Sequence, residues 1–375
     1  MEDYSFQMCK DGHRHCGDKT TVVRREDATV AIVADGIGSG VPANLAATLV
    51  TEYLLGLLKD GFSTTEAAKA CLRALRSARL NRGPWAAFSV VRVSTDGRAH
   101  VVSYESPFPL LLTQSGPEEM EYAPRYWEGE VAYEAQTYVR TNEALLVFTD
   151  GVTQAGLGRG LPKGWGESGV LKYLNESGLN RPELACEIPP AVVRQAASLN
   201  GNRPSDDITV LALFARRPRV LHVLTGPPAR REDTEKVLSA FAAVEGTKVV
   251  CGGTTTLLLA KHMGVEPRVH PGQYGAPAYY ELQGVALACE GTVTLNRVNN
   301  IFDEPELASE AGYGASRLLE LLSASDEIHF WVGQATNAAH LTTLRPAGVL
   351  SRNEVVASLA EKLKRAGKLT VIKKM

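Results

Sequence analysis

The chain has 375 residues, of which 44% are hydrophobic, and its formal net charge is −2. That length indicates two domains, and the composition is ample for a buried core in each. A nearly neutral chain with scattered basic residues carries no field that attracts nucleic acid or a membrane surface, so we expect neither as a partner.

The sequence also allows predictions of the cellular location and of the state of the cysteines. No apolar run reaches the ~20 residues of a membrane span. The first residues, Met1-Glu2-Asp3-Tyr4, are acidic and lack an apolar signal core, so we expect a cytoplasmic protein. The six cysteines form no CxxC pair and are expected to stay reduced. Cys9 and Cys16 flank two histidines, but the spacing fits no standard zinc pattern, so a loop beside an edge strand is the favoured interpretation.

In chain order, the first half alternates blocks of strands and helices. Residues 29–33 are β-rich, and from residue 43 to 58 the apolar residues Leu45, Leu49 and Tyr53 recur at helical spacing. A second helix is predicted at 65–80. Further strands are predicted at 87–93, 100–104, 110–113, 144–149 and 208–214, with a helix at 184–199 before the last. This order predicts an α+β fold in which antiparallel sheets are covered by helices.

Arg216-Arg217-Pro218 is the predicted boundary, giving domains 1–216 and 217–375. Beyond it, strands and helices alternate: 220–225, 247–251, 327–332 and 369–372 are predicted strands, and 232–244, 255–263 and 353–366 are predicted helices. That rhythm predicts a smaller α/β domain.

Four places in the first half put an aspartate at a strand end or a tight turn. They are Gly17-Asp18, Ala34-Asp35-Gly36, Thr149-Asp150-Gly151 and Ser205-Asp206-Asp207. A carboxylate at the end of a buried strand is costly unless it is paired or bound to metal. Converging carboxylates repel one another, and hard oxygen ligands favour Mg²⁺ or Mn²⁺. Any one Asp-Gly by itself can simply mark a turn; the series of four indicates a metal centre.

This series resembles the PPM family of metal-dependent protein phosphatases, in its SpoIIE-like bacterial branch, over roughly residues 10–215. The resemblance implies an αββα sandwich of two antiparallel sheets flanked by helices. It also implies two divalent cations, Mn²⁺ or Mg²⁺, with Asp35 bridging them and the Gly36 carbonyl on the first. Asp150 and Asp206 would hold the second cation and Asp18 would serve the first.

Three more residues belong to the implied site. Asp207 stands where relatives often carry Asn, so within the metal site it is assigned a supporting position. Arg14 is the nearest candidate for a phosphate ligand, with a solvated arginine as the alternative. His13 and His15 are possible general acids, with surface histidines as the alternative.

In the C-terminal domain, Cys251-Gly252-Gly253-Thr254-Thr255 follows a predicted strand and opens a predicted helix. Free N–H groups and hydroxyls at such a turn can bind an anion, although Thr254 can also simply cap the helix. The loop at residues 333–337 has the same character and is expected to line the same site. The extension as a whole resembles that of some SpoIIE-like phosphatases.

The sequence therefore predicts a phosphoserine/phosphothreonine phosphatase. The resemblance implies a phosphorylated regulatory protein of the anti-sigma-antagonist type as substrate, and the C-terminal domain is expected to sense a small anionic effector or dock a partner. Two alternatives remain open: a non-catalytic signalling module of the same fold, and a small-molecule phosphatase.

Overall fold

The structure, a computed structural model, describes residues 1–25, 27–80, 83, 85–272, 276–335 and 348–375. It consists of two compact units, Met1–Arg217 and Pro218–Met375. The predicted boundary lies one residue before this division. The different roles assigned to the two parts of the chain stay predictions.

The first unit contains two antiparallel sheets. Its strands are β1 (Glu2–Met8), β2 (Asp18–Arg24), β3 (Ala28–Gly36), β4 (Ala86–Ser94), β5 (Arg98–Tyr104), β6 (Leu110–Thr113), β7 (Gly116–Glu119), β8 (Ala123–Trp127), β9 (Glu130–Tyr138), β10 (Glu143–Phe148) and β11 (Ile208–Ala215). One sheet has the order β2-β3-β4-β5-β9-β8, and the other has the order β1-β11-β10-β6-β7. The N-terminal strand β1 pairs with β11, at the far end of the unit's sequence.

Helices cover the outer faces of both sheets. They are α1 (Gly40–Lys59), α2 (Thr64–Leu80), α3 (Asp150–Thr153), α4 (Gly166–Glu176) and α5 (Ile188–Leu199), with a 3₁₀ turn at Pro182–Leu184. Alternating strand residues such as Val33 and Leu211 fill the layer between the sheets. Ile32 packs outward against α1 and α2, and Val210 packs outward against α4 and α5. The predicted α+β sandwich is confirmed.

Helix α1 turns a different face inward from the one that Leu45, Leu49 and Tyr53 suggest, and Leu54, Leu55 and Leu58 are buried on it. Small residues such as Ala43 and Ala47 are buried against the sheet, whereas Leu45, Leu49 and Tyr53 are 56%, 52% and 45% exposed. By length and composition alone, α1 could cross a membrane, although its small-residue face packs on the sheet. Polar residues interrupt its apolar stretch, so the expectation of no uninterrupted run of ~20 apolar residues still describes the sequence.

The second unit is an α/β module around one seven-stranded sheet. Its strands are β12 (Val220–Thr225), β13 (Thr247–Cys251), β14 (Arg268–His270), β15 (Tyr279–Leu282), β16 (Val285–Cys289), β17 (Glu327–Val332) and β18 (Leu369–Lys374). Its helices are α6 (Thr234–Ala243), α7 (Gly253–Met263), α8 (Thr292–Ile301), α9 (Tyr313–Ala324) and α10 (Arg352–Arg365), with 3₁₀ turns at Arg231–Asp233 and Pro305–Ala311. The sheet order is β14-β15-β16-β13-β12-β17-β18, and the pairings from β16 to β18 are parallel.

Candidate metal centre

The fold brings the four predicted aspartates to one place. Asp18 begins β2 and lies directly opposite Asp35 near the end of β3. Asp150 begins α3, immediately after β10, and Asp206 lies just before β11. The carboxyl group of Asp35 interacts electrostatically with those of Asp18, Asp150 and Asp206. Residues separated by up to 188 positions thus share one cluster at the ends of strands from both sheets.

Two threonines that the sequence argument did not single out hold Asp18 in place. The hydroxyl groups of Thr149 and Thr209 donate to Asp18 Oδ2, over 2.9 and 2.5 Å. The Thr149 hydroxyl also accepts the backbone N–H of Thr209, over 3.0 Å. Thr149 lies within the Thr149-Asp150-Gly151 motif, and Thr209 lies two residues after the Ser205-Asp206-Asp207 motif. A hydroxyl one or two positions from each aspartate was the signal available in the sequence.

Two carboxylate oxygens in the cluster are buried without a donor. Asp18 Oδ1 and Asp150 Oδ1 have no hydrogen-bond partner among the described residues. The carboxyl groups of Asp18 and Asp35 do touch, but such a contact is a hydrogen bond only if one of them carries a proton. If ionised, these carboxylates repel one another and need a cation, because a buried acceptor left unpaired is costly.

The pKa values of three of these carboxyl groups, those of Asp18, Asp35 and Asp206, are raised by burial and by mutual repulsion. Burial, followed by repulsion from Asp18 and Asp150, raises the pKa of Asp35 to about 10. Burial raises the pKa of Asp18 to about 7, although the threonine hydroxyls oppose the rise. The pKa of Asp206 is also raised, first by burial and then by Asp150. Buried carboxylates that resist ionisation when alone are a hard-cation donor set, so these residues fit divalent metal.

The glycines of the Asp-Gly motifs are required by close packing. A Cβ on Gly36 would lie 1.8 Å from the carbonyl oxygen of Ala43 in α1, and one on Gly151 would lie 2.0 Å from the carbonyl oxygen of Asp207. Neither has a positive φ, so the requirement for glycine here comes from close approach of the backbone and not from a left-handed conformation.

Asp207 faces the loop that joins β1 to β2. Its Oδ1 accepts the backbone N–H of Lys10 and its Oδ2 accepts that of Gly17, each over 2.8 Å. These bonds close the loop at residues 9–17 beside the cluster. Both oxygens of Asp207 thus accept backbone N–H groups, and its supporting position in the metal site stays a prediction.

The other predicted residues of this site lie on the same loop. Arg14, His13 and His15 are all exposed. The Nδ1 atom of His13 lies 3.4 Å from the position that a Cβ on Gly40 would take, at the start of α1. Their roles as phosphate ligand or general acid stay predictions.

In the second unit, the turn predicted to bind an anion already faces a carboxylate. Gly252 has φ 140° and donates its N–H to the carbonyl of Cys289 over 2.7 Å. A Cβ on Gly253 would lie 2.8 Å from Tyr280 Oη and 3.4 Å from Glu290 Oε1. A carboxylate beside the first turn of α7 takes the place of an anion electrostatically.

The side chains of this turn are largely occupied by the protein itself. Cys251 is fully buried, with its sulfur 3.7 Å from that of Cys289. Thr255 is buried with its hydroxyl over Gly252, whereas Thr254 is exposed. An anion at Cys251 to Thr255 stays a prediction. In the companion loop, a Cβ on Gly333 would lie 2.1 Å from the carbonyl oxygen of Pro227, and residues 336 and 337 lie outside the described residues.

Comparison with solved structures returns phosphatase domains at low identity. The RsbU and RsbW domains of a Mycobacterium tuberculosis protein align at 19% identity and TM-score 0.47, covering 64% of this chain and 66% of theirs. The PP2C phosphatase domain of Bacillus subtilis SpoIIE, with a fragment of its regulatory domain, aligns at 15% and 0.49, covering 57% and 61%. The PP2C domain of SiaA from Pseudomonas aeruginosa aligns at 20% and 0.45, covering 56% and 85%.

The first two alignments span less than two thirds of those structures. No curated protein matches the chain. A family model described as Stage II sporulation protein E (SpoIIE) matches residues 25–216, which is just over half of the 375 residues. That segment carries Asp35, Asp150 and Asp206, and Asp18 lies just before it. The chain therefore belongs to the SpoIIE family, which consists of PPM-type metal-dependent protein phosphatases.

Proposed function

We propose that the first unit hydrolyses phosphoserine and phosphothreonine on a regulatory protein of the anti-sigma-antagonist type. Two divalent cations, Mn²⁺ or Mg²⁺, would be held by Asp18, Asp35, Asp150 and Asp206, with the carbonyl of Gly36 as a further ligand. The observation that carries the proposal is the pair of buried, partnerless carboxylate oxygens on Asp18 and Asp150. Such oxygens beside two further carboxyl groups suit a dinuclear hard-metal site.

The residues of the proposed metal site would have different roles. When bound, the cations supply Lewis acidity and a water of lowered pKa. Asp35 would contact both cations, because it interacts with the carboxyl groups on either side of it. The hydroxyl groups of Thr149 and Thr209 fix Asp18 Oδ2, and Oδ1 is the buried oxygen that has no hydrogen-bond partner among the described residues. Fixing a ligand before the metal arrives favours affinity.

For the second unit we propose a regulatory role, either sensing a small anionic effector or docking a partner. The proposal is supported by the position of the aspartates, which all lie within the first unit. We also propose that the protein acts in the cytoplasm.

The test is a panel of substrates assayed with the full chain in Mn²⁺. We expect hydrolysis of phosphoserine and phosphothreonine peptides and proteins, and little of phosphotyrosine peptides or free nucleotides. Asp35→Asn is the inactive control. Preferential hydrolysis of nucleotides would establish the small-molecule phosphatase instead. No hydrolysis of any substrate by a metal-loaded protein would establish the non-catalytic module.

A further inference from the structure

Beside the aspartate cluster, the fold assembles a second group of metal-ligating atoms of a different chemical kind. The sulfur atoms of Cys9 and Cys16 and a carboxylate oxygen of Asp207 lie within 4.8 Å of one another. The two cysteines stand at the ends of the loop between β1 and β2, and Asp207 stands before β11. The spacing of the two cysteines alone fits no standard zinc pattern. The third ligand residue, Asp207, lies about 190 residues further along the chain, so the sequence did not indicate this site.

We propose that Cys9, Cys16 and Asp207 form a separate binding site for one thiophilic divalent cation of the zinc class. Two thiolates and a carboxylate are a donor set that Zn²⁺ accepts, whereas Mg²⁺ and Mn²⁺ prefer oxygen alone. The site therefore discriminates against the cations expected at the aspartate cluster.

The distances suit the proposal. Zinc–sulfur bonds of about 2.3 Å in a tetrahedron place the two sulfur atoms about 3.8 Å apart. Atoms already within 4.8 Å of one another reach that arrangement with a shift of about 1 Å. Both cysteines and Asp207 have partly or wholly buried side chains, so the loop does not have to fold from solvent to form the site.

The site is also held in place by the backbone. Asp207 accepts the N–H groups of Lys10 and Gly17, which are the residues directly inside Cys9 and outside Cys16. The Asn44 side chain donates to the carbonyl of Cys16 over 2.8 Å. These bonds tether both thiol-bearing residues to the carboxylate, and each oxygen of Asp207 keeps a lone pair for a cation.

Binding would release the protons of the two thiols to solvent and leave two thiolates and one carboxylate around the cation. The imidazoles of His13 and His15, on the same loop, are not part of the group within 4.8 Å. Three protein ligands would leave the fourth position of a tetrahedral ion to water, in contrast to a closed structural zinc site with four protein ligands. Cys16 lies two residues before Asp18, and Asp207 follows Asp206, so an ion here fixes backbone that carries two catalytic aspartates.

The test is titration of the reduced, metal-free full chain with Co²⁺, followed by Zn²⁺. Cobalt bound to thiolate gives a charge-transfer band in the near ultraviolet that cobalt bound to carboxylates lacks, so the aspartate cluster does not contribute to the signal. We expect the band to saturate at one equivalent per chain and to be abolished by Zn²⁺. Cys9→Ser should lose it, whereas Cys186→Ser, which changes an exposed cysteine elsewhere, and Asp35→Asn should keep it.

A second measurement covers the case in which a cysteine variant fails to fold. In the wild-type chain, Zn²⁺ should slow alkylation of Cys9 and Cys16 at least tenfold and leave Cys186 unchanged. A band that survives in Cys9→Ser, or equal alkylation with and without Zn²⁺, would overturn the proposal. So would a reduced protein that shows no band while an oxidised sample carries a Cys9–Cys16 disulfide, because the pair would then be a redox element.

Discussion

Asp18→Asn removes a buried charge that the two threonine hydroxyls compensate only in part, so it should stabilise the metal-free protein while impairing the enzyme. Burial raises the pKa of Asp18 from 3.8 to about 7. A difference of about three pKa units, at ~1.4 kcal/mol each, gives an upper limit of about 4 kcal/mol for the cost of ionising Asp18 in the folded state.

Part of that gain is offset. The asparagine carbonyl can still accept from Thr149 and Thr209, but its NH₂ group would occupy the place of Asp18 Oδ1, which has no partner. A buried polar group without a partner costs about 1–3 kcal/mol. We therefore expect Asp18→Asn to raise the free energy of unfolding of the metal-free protein by about 1–3 kcal/mol at pH 8.

The pH dependence has a definite sign. A carboxyl group whose pKa is raised by folding favours the fold fully below pH 3.8, and that contribution is lost as the pH rises through about 7. At pH 5 the wild-type Asp18 is already largely protonated in the folded state. The advantage of the variant should therefore shrink by about 3 kcal/mol between pH 8 and pH 5.

The assay is urea unfolding in EDTA at both pH values. Asp207→Asn is the matched control, because both oxygens of Asp207 accept backbone N–H groups and an NH₂ cannot. It should lose about 1–3 kcal/mol. An Asp18→Asn protein that is less stable than wild type at pH 8, or whose difference from wild type is the same at both pH values, would show that ionised Asp18 does not destabilise the metal-free fold.

Three further predictions concern the same site. EDTA should abolish phosphatase activity and Mn²⁺ or Mg²⁺ should restore it, whereas Asp35→Asn should lose nearly all activity at saturating metal and keep its fold. Thr149→Val should weaken metal binding by about 10–100-fold, as measured by calorimetry, because a supporting hydrogen bond to a ligand is lost. Gly36→Ala should lower the free energy of unfolding by about 1–3 kcal/mol or more through its clash with α1, whereas Gly56→Ala, which has open space around it, should be neutral or stabilising.

Different results would count against each of these. Full turnover in EDTA with metal removal verified, or near wild-type turnover by Asp35→Asn, would show that the aspartates are not the catalytic centre. An unchanged metal affinity in Thr149→Val would show that Asp18 needs no orienting donor. A Gly36→Ala protein as stable as Gly56→Ala would falsify the packing explanation for the Asp-Gly motif.

The aspartates and the sandwich were predictable because their signals are local. Asp35 and Asp150 each follow an apolar strand and precede glycine, and that pattern can be recognised without knowledge of tertiary contacts. The face of α1 was not predictable in the same way. Leu45, Leu49 and Tyr53 recur at helical spacing, but periodicity identifies a face without saying what it meets. Gly36 approaches α1 closely at Ala43, which admits only small side chains near the start of the helix. Leu54 and Leu58 are buried further along the helix, whereas Leu45 and Leu49 are exposed.

The supporting contacts depend on chain closure and therefore lay beyond the sequence. Thr209 reaches Asp18 across 191 positions, and Asp207 reaches Gly17 across 190. The pairing of β1 with β11 brings these segments together. The spacing of Cys9 and Cys16 fitted no metal site, because the sequence did not show that the carboxylate of Asp207 lies close to both sulfur atoms.

We propose above that Asp18, Asp35, Asp150 and Asp206 together hold two divalent cations. The most direct measurement is anomalous diffraction at the manganese edge from a crystal of the full chain soaked in Mn²⁺. We expect two anomalous peaks among these four carboxylates, with Asp35 in contact with both. A map without a peak in this cluster, or with manganese bound only elsewhere in the chain, would contradict it.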